Sequence, residues 1–436
     1  MRLLPVLASL VLCDFTKFKS GISNNNNIVA YGDFNSDRFV DVFTLDKDRT
    51  TVSVYAWKPQ ELPKITQGIF YLLTQIIPSQ IGCPVTAIIP SDFTFNGKMD
   101  LLVVCDKENG KHRNILFFQE NGVLGKKEEL EPTSTVLTLF DFDGNLHSSL
   151  IGRIDDETVV YSFAEGKMKK TVVTGFCKIA EHHSNATLDM NGDCLTDLVL
   201  TCEDNEGLSL NIFKNSVSGF SESPVTVKLP EGSGIASFVD FDGDGNVDIV
   251  FHVCWPALTC TEKNELQILY NKNSPIKKKG QVCKQDSLEY LPPQIIKLSS
   301  VFNDNGIRLQ FMNAFIPNQL NSLKFGDYDL DSYPDLLVST TSNTIYLLTN
   351  TECTLSNCDA VHVNRESRTL SLETVGSIEK GKFPTSDAYM ASFLDFSKSG
   401  RLDLIMNLTG SPISVKAFQN TITNDYFMIK GLCKLF

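Results

Sequence analysis

The chain has 436 residues, 42% of them hydrophobic, and a formal net charge of −13. This acidity argues against nucleic acid as a partner, because phosphate binding needs clustered Lys and Arg side chains. The length would allow two or three ordinary domains, unless a repeat fold uses all of it as one unit.

The N-terminal end is apolar. Residues 1–13 read M-R-L-L-P-V-L-A-S-L-V-L-C, one Arg before a mostly apolar run, which is typical of a short signal peptide. A buried first strand is the alternative. No later segment reaches the roughly eighteen consecutive apolar residues of a membrane-spanning helix, so the sequence predicts none.

Seven acidic segments follow, beginning at residues 33, 92, 141, 189, 240, 327 and 395. The richest, D-F-D-G-D-G-N-V-D from Asp240 to Asp248, has carboxylates at positions one, three, five and nine. Carboxylates this close repel one another unless a cation lies between them, and calcium accepts oxygen ligands in flexible geometry. An acidic surface turn is the alternative for a single loop. Recurrence at roughly fifty-residue spacing indicates a repeat architecture.

Short apolar segments rich in β-branched residues flank the loops, such as Ile235–Val239 and Ile249–Val253. A further alternating segment ends in an Asn in most repeats, a residue suited to turns. These residues are Asn121, Asn215, Asn271, Asn350 and Asn420. Four short strands per repeat predict an all-β fold, a seven-bladed β-propeller over residues 14–436 with an insertion at about 273–313. An EF-hand is excluded, because position twelve is an apolar strand residue such as Phe251, not Glu.

Twelve cysteines suggest an oxidising compartment. Two close pairs, Cys254 with Cys260 and Cys353 with Cys358, are predicted to close small disulfide loops. Zinc is the rival, but the spacings are not C-x-x-C. Asn185 and Asn407 begin glycosylation sequons. Together these features predict the secretory route and an extracellular location.

The repeats resemble FG-GAP repeats of the integrin α-subunit, whose seven-bladed propeller carries calcium loops of D-x-D-x-D-x-x-x-D form. Their order resembles the T-cell immunomodulatory protein, or Linkin, family. The stretches that carry this resemblance are Tyr31–Asp37, Phe238–Gly245 with the first cysteine pair, Phe325–Asp335 with the second, and Ile429–Cys433. Family members are single-pass membrane glycoproteins with a helix beyond the propeller. This sequence stops at Phe436, so we expect a truncated or secreted form, or cell-membrane anchoring in a full-length form.

The resemblance implies calcium ligands at alternate loop positions. In the two strongest loops they are Asp240, Asp242, Asp244, Asp248, Asp327, Asp329, Asp331 and Asp335, with the carbonyls of Asn246 and Tyr333. In the next two they are Asp189, Asn191, Asp193, Asp197, Asp33, Asn35, Asp37 and Asp41. Because affinity falls with carboxylate count, we expect calcium mainly at 240 and 327, then at 189 and 33. Little is expected elsewhere, and the loops at 141 and 395 are predicted to be structural turns.

We therefore expect an extracellular, calcium-stabilised propeller that binds a cell-surface or extracellular protein in adhesion or receptor binding. The resemblance adds modulation of T-cell-type responses. Catalysis is not expected, since His182-His183 is the only histidine pair and no zinc-hydrolase cluster or G-x-S-x-G motif is present. The alternatives are a carbohydrate-binding propeller that uses Trp57 or Trp255, or a propeller associated with a phospholipase, which the resemblance also allows.

Overall fold

The structure is a computed structural model, and it describes most of the chain. The described residues are 15–58, 68–181, 184–216, 219–257, 259–271, 283, 288–304, 306–317, 319–354, 358, 367–372, 381–383, 387–410 and 412–421. The predicted signal peptide, the pair His182-His183 and Cys433 lie outside these residues.

The described strands form seven four-stranded antiparallel sheets, each a blade. Blade 1 contains β2 (Asn26–Gly32), β3 (Asp41–Asp46), β4 (Val52–Trp57) and β5 (Phe70–Ile76). Blade 2 contains β6 (Val85–Ser91), β7 (Asp100–Glu108), β8 (Lys111–Glu120) and β9 (Val123–Thr133). Blade 3 contains β10 (Thr138–Phe140), β11 (Ser149–Ile154), β12 (Glu157–Ala164) and β13 (Lys167–Val173). Blades 4 and 5 contain β14 (Ala186–Leu188), β15 (Asp197–Asp204), β16 (Gly207–Phe213) and β17 (Val225–Lys228); and β18 (Ser237–Val239), β19 (Asp248–Trp255), β20 (Lys263–Leu269) and β21 (Gln294–Lys297). Blade 6 contains β22 (Lys324–Gly326), β23 (Asp335–Ser339), β24 (Ile345–Glu352) and β25 (Arg368–Ser371). Two short helices, α1 (Pro78–Ile81) and α2 (Leu298–Phe302), lie between blades.

Blade 7 joins the two ends of the chain. It contains β26 (Ala388–Leu394), β27 (Asp403–Leu408) and β28 (Ser414–Asn420), and its fourth strand is β1 (Phe15–Lys19). Strand β1 pairs with β28 from Phe15 opposite Asn420 to Lys19 opposite Lys416. The ring is therefore closed by hydrogen bonds, which leaves no open end for edge pairing. The predicted all-β, seven-bladed propeller is confirmed.

The hydrophobic core lies between the blades. Seven buried clusters are present, and each combines residues from two neighbouring blades, including one between blades 7 and 1. In the cluster between blades 1 and 2, for example, Phe43 packs with Leu101 and Phe117. The inner strands of each sheet thus bury both faces, which explains why strands such as β3 and β15 are almost continuously apolar, whereas the outer strand β21 alternates between buried and exposed residues.

The acidic segments connect the first strand of each blade to its second. Because every blade has the same antiparallel order, all seven segments lie on one face of the ring, the loop face. The turns between second and third strands lie on the opposite face, the turn face.

The extra length before the loop at 327 is divided between two places. One part joins β20 to β21 and is mostly outside the described residues, and the other, residues 303–323, joins α2 to β22. The predicted insertion at 273–313 is therefore not continuous, because it contains β21, the fourth strand of blade 5.

Candidate metal centres on the loop face

The seven loops share one backbone shape. Positions four and six have positive φ in every loop, as in Gly243 (+75°), Gly245 (+88°), Leu330 (+63°) and Ser332 (+76°). The aspartate at position one accepts N–H groups from this turn. In the strongest loop Asp240 accepts from Asp244 at 3.0 Å and from Gly245 at 2.9 Å. The weak loop at 395 has the same bonds to Asp395. The carboxylate at position one therefore holds the loop backbone in shape, whether or not it also binds a metal ion.

Position nine joins the loop to the third strand of its blade. In six loops it is an aspartate at most 1% exposed: Asp41, Asp100, Asp197, Asp248, Asp335 and Asp403. One oxygen of Asp248 accepts the N–H of Phe241 at 3.0 Å and the other accepts that of Asn271 at 2.8 Å. Asp403, in a loop predicted to be only structural, accepts the Asn420 N–H at 2.8 Å. The sequence analysis assigned four of these aspartates only as calcium ligands, and it therefore missed their structural role. They are Asp41, Asp197, Asp248 and Asp335.

The loop at 240 contains a cluster of three carboxylates. Asp240, Asp242 and Asp244 each place one oxygen within 4.8 Å of the others. Burial raises the pKa of Asp242 to about 6, and the charge of Asp244 adds to the rise. Crowded, partly buried carboxylate oxygens are the ligands that calcium prefers, and a divalent cation would offset their repulsion. The residues present therefore fit a calcium ion.

The loop at 327 has a second cluster with a different third member. It contains Asp327, Asp329 and Asp335, and burial followed by the charges of Asp331 and Asp327 raises the pKa of Asp329 to about 7. Asp331, which was expected in the ligand set, lies 3.9 Å from Nη2 of Arg368. Arg368, which sequence analysis did not single out, is thus a protein cation at the edge of this site.

In the loops at 33 and 189, a side-chain amide of the loop itself donates a hydrogen bond to one of the predicted ligand carboxylates. Asn35 donates to Asp37 at 2.9 Å, and Asn191 donates to Asp193 at 2.9 Å. An amide N–H at position three therefore contacts the carboxylate that calcium would otherwise share. These loops hold fewer charges for the same shape, in line with the predicted order of affinity.

Neighbouring loops touch across the blade boundaries. Position seven of one loop meets position four of the loop in the preceding blade. The Tyr333 ring packs on Gly243, where an added Cβ would lie 2.9 Å from its Cε1 atom. The ring of His147 lies 3.9 Å from that of Phe95, and Lys398 Nζ lies 3.0 Å from the centre of the Phe39 ring. At these three boundaries, stiffening one loop therefore restrains the next.

The asparagines at the ends of the third strands are contacts between blades. Nδ2 of Asn271, Asn350 and Asn420 donates to the carbonyl at position two of the preceding loop, at 3.0, 2.9 and 2.7 Å. Gln119 makes the same bond in blade 2, and there Asn121 has a positive φ, as expected for a turn. In blade 4, Asn215 donates to Thr196 of its own blade instead. We call the four contacts the inter-blade latches.

The comparisons with known proteins agree with this repeat. A family model described as FG-GAP-like repeat matches residues 189–251, which hold two of the four strongest loops. The T-cell immunomodulatory proteins of Mus musculus and Homo sapiens are 25% and 24% identical to this chain, over 93% of the chain and 65% of their own length. Protein linkin of Caenorhabditis elegans is 21% identical over 93% of the chain and 67% of that protein. The resemblance to the T-cell immunomodulatory protein family is confirmed.

The chain spans about 65% of the length of the mouse and human T-cell immunomodulatory proteins. Among solved structures, the β-propeller domain of Cps50 (Swd1) from Myceliophteria thermophila matches 93% of the chain, with 11% identity and a TM-score of 0.45. That score is too low to carry an argument, so the propeller assignment rests on the seven closed sheets. Within the described residues no helix is both long and apolar enough to cross a membrane.

Five disulfides are formed among the described cysteines. The two predicted pairs, Cys254–Cys260 and Cys353–Cys358, are bonded. The other three are Cys83–Cys105, Cys177–Cys202 and Cys194–Cys283. The last links the loop at 189 to the connection between β20 and β21, 89 residues away, a pairing that no short spacing could have indicated.

The predicted glycosylation site Asn407 lies in the interior of the fold. Asn407 is 2% exposed, its Nδ2 donates to the Ile28 carbonyl at 3.0 Å, and its Oδ1 accepts the Ile28 N–H at 3.2 Å. A glycan has no room at an amide enclosed between two blades. Asn185 is half-buried, and its amide donates to Thr138 Oγ1 at 3.0 Å and accepts from Thr201 N–H at 2.9 Å, so it is a poor acceptor for the same reason.

Proposed function

We propose that this chain is an extracellular binding module, in which calcium stiffens the loop face and the propeller binds a protein at the cell surface. The relatives' name suggests cells of the immune system, and T-cell-type cells in particular, as the place to look for the partner. Five disulfides favour an oxidising, extracellular location.

The observation that carries the proposal is the adjacency of the two carboxylate clusters. They lie in consecutive blades, and Tyr333 of the second loop packs on Gly243 of the first. A cation in either loop would therefore restrain both. In this role calcium supplies rigidity to a binding surface, and the partner does not need to contact the metal.

A binding role also accounts for the carboxylates without catalysis. The position-nine carboxylates hold backbone N–H groups, and the proposed ions lie among Asp240, Asp242 and Asp244 in one loop and among Asp327, Asp329 and Asp335 in the other. Among the described residues no other group of three or more His, Cys, Asp or Glu side chains lies close enough together to hold a metal ion.

Of the two tryptophans that the carbohydrate-binding alternative would use to stack on a sugar, one is covered by the protein. Trp57 is 6% exposed and stacks on Phe39 at 3.9 Å between ring centres, with 4° between the planes. A tryptophan covered in this way has no free face for a sugar ring. Trp255 is half-buried beside the Cys254–Cys260 loop and is the one to test.

The proposal is tested by capture of a partner on live cells with the biotinylated, crosslinkable chain. We expect one saturable protein partner, weakened in chelator and weakened equally by Asp242→Asn combined with Asp329→Asn. Asp143→Asn, in the loop at 141, is the matched control and should bind as the unchanged chain does. Binding that disappears after the cells are deglycosylated would instead support the carbohydrate-binding reading, with Trp255→Ala as its test.

A further inference from the structure

The propeller axis contains a cavity of about 270 Å³. Its walls include residues from the first strands of blades 1, 2, 6 and 7, such as Val29, Ile88, Lys324 and Met390. The first strands therefore face the axis. Further wall comes from His252 of blade 5, from Leu337 of blade 6, and from residues within 306–317 and 319–323, which we call the channel segment.

The channel segment crosses the axis. It begins near blade 6, where Leu309 bridges to Thr340, and it folds back on itself where Asn313 N–H donates to the Gln319 carbonyl at 2.7 Å. Phe315 packs against the hydrophobic cluster between blades 1 and 2, on the far side of the ring. The channel segment thus reaches from blade 6 to the cluster between blades 1 and 2.

Three groups in this cavity have unused hydrogen-bonding capacity. Lys324 Nζ donates to Ser322 Oγ at 2.6 Å, and no described carboxylate pairs with it. Oε1 of Gln310 is buried and has no donor. His252 Nε2 faces Asn264 Oδ1 at 3.2 Å, and because Asn264 Nδ2 donates to the Ile307 carbonyl, the proton belongs on Nε2. This leaves His252 Nδ1 as an acceptor.

These groups specify a ligand chemistry. Lys324 is half-buried and has no described carboxylate beside its ammonium, so it calls for an anion, because a charge withdrawn from water is costly without a partner. Gln310 Oε1 and His252 Nδ1 call for a hydrogen-bond donor on the same molecule. Ile88, Leu337 and Met390 supply apolar wall for a short hydrocarbon part.

We propose that the axial cavity binds a small carboxylate that also carries a hydrogen-bond donor, such as an α-hydroxy or α-amino acid. The carboxylate pairs with Lys324, and the hydroxyl or ammonium donates to Gln310. The volume lies just below the roughly 300–1,000 Å³ of drug-sized pockets, which fits a small metabolite and excludes a peptide or an oligosaccharide.

A second cavity, of about 300 Å³, lies beside the first. It shares Ile235, Gln319 and Leu320 with the first. Its other walls combine the apolar residues Val136 and Pro317 with polar groups, which include His112 and the ion pair of Lys107 with Glu181 at 2.5 Å. It therefore adjoins the axial cavity through shared wall residues.

Isothermal titration calorimetry with L-lactate, L-alanine, L-leucine, propionate and inorganic phosphate tests the proposal. We expect at least one hydroxy or amino carboxylate to bind, and Lys324→Met to weaken it roughly 10- to 100-fold, the worth of one charge-assisted hydrogen bond. Gln310→Leu should weaken lactate more than propionate, which lacks the donor. Lys297→Met, on an exposed face of β21, is the matched control and should bind normally.

The melting temperature separates lost binding from lost folding. Without ligand, Lys324→Met should melt no lower than the unchanged chain, because it removes an unpaired charge from a half-buried position. Equal binding by Lys324→Met, binding of phosphate alone, or no heat and no melting shift with any compound at millimolar concentration would each overturn the proposal.

Discussion

Asn350 tests whether the inter-blade latches hold the ring together. It is 1% exposed, and its Nδ2 donates to the Phe241 carbonyl of blade 5 at 2.9 Å and to the Pro334 carbonyl at 3.1 Å. Its Oδ1 accepts from Arg368 Nε at 3.0 Å. The substitution Asn350→Ala removes these bonds and leaves the Phe241 and Pro334 carbonyls without this donor, whereas Arg368 keeps its bond to the backbone carbonyl of residue 350 at 3.0 Å. At about 1 kcal/mol per bond plus the cost of the orphaned groups, we expect a loss of about 3 kcal/mol in the free energy of unfolding.

The assay is urea unfolding in chelator, so that calcium does not contribute. For a chain of this length the same loss corresponds to a melting temperature lower by about 3 °C. Asn215→Ala is the matched control: it occupies the same place at the end of its strand but bonds within its own blade. We expect it to cost less than about 1 kcal/mol. Equal losses in the two variants would refute a role for the latches in joining blades.

Three further predictions concern calcium, pH and glycosylation. Asp242→Ala with Asp244→Ala should lower the melting temperature more in calcium than in chelator, where the substitutions remove the bond from Asn246 N–H to Asp244 at 2.8 Å but also the repulsion between the carboxylates; an unchanged calorimetric melt in both would remove this site. Burial lowers the pKa of His252 to about 4, so its contribution to stability is complete above its unfolded pKa and decreases as the pH falls from about 6.5 toward 4. Between pH 7.5 and 5 urea unfolding should lose about 2 kcal/mol more in the unchanged chain than in His252→Gln, and equal losses would contradict this. Peptide mass spectrometry of the chain secreted from a glycosylating host should find Asn407 unmodified, and a glycan there would mean that blades 7 and 1 do not pack as described.

The fold could be predicted because its signals are local and repeated. The spacing of the loops, the apolar strands beside them and their number together specify a seven-bladed ring. Closure by β1 could not be seen, because Phe15–Lys19 becomes a strand only through pairing with β28, about 400 residues away. The predicted insertion includes a strand of the blade for a related reason. Strand β21 has only 4 residues and lies in a stretch without a loop motif.

The sequence located the loops, but it did not show which carboxylates form a cluster and which ones hold backbone N–H groups. A pattern of carboxylates cannot distinguish Asp242, which belongs to the cluster, from Asp248, which holds two backbone N–H groups. The signal was available in Asp100 and Asp403, which keep position nine in loops that lack the carboxylates at three and five. The strand-end Asn residues carried a similar signal. Their partners lie in the preceding blade, so sequence analysis interpreted them as turn residues.

The central claim, that the two richest loops each hold a calcium ion, is tested most directly by counting bound calcium with equilibrium dialysis and native mass spectrometry. We predict at least two ions on the unchanged chain. One should be lost with Asp242→Asn and Asp244→Asn, and another with Asp327→Asn and Asp329→Asn, while Asp143→Asn changes nothing. An unchanged chain that binds no calcium, or a count that neither pair of substitutions lowers, would contradict the account.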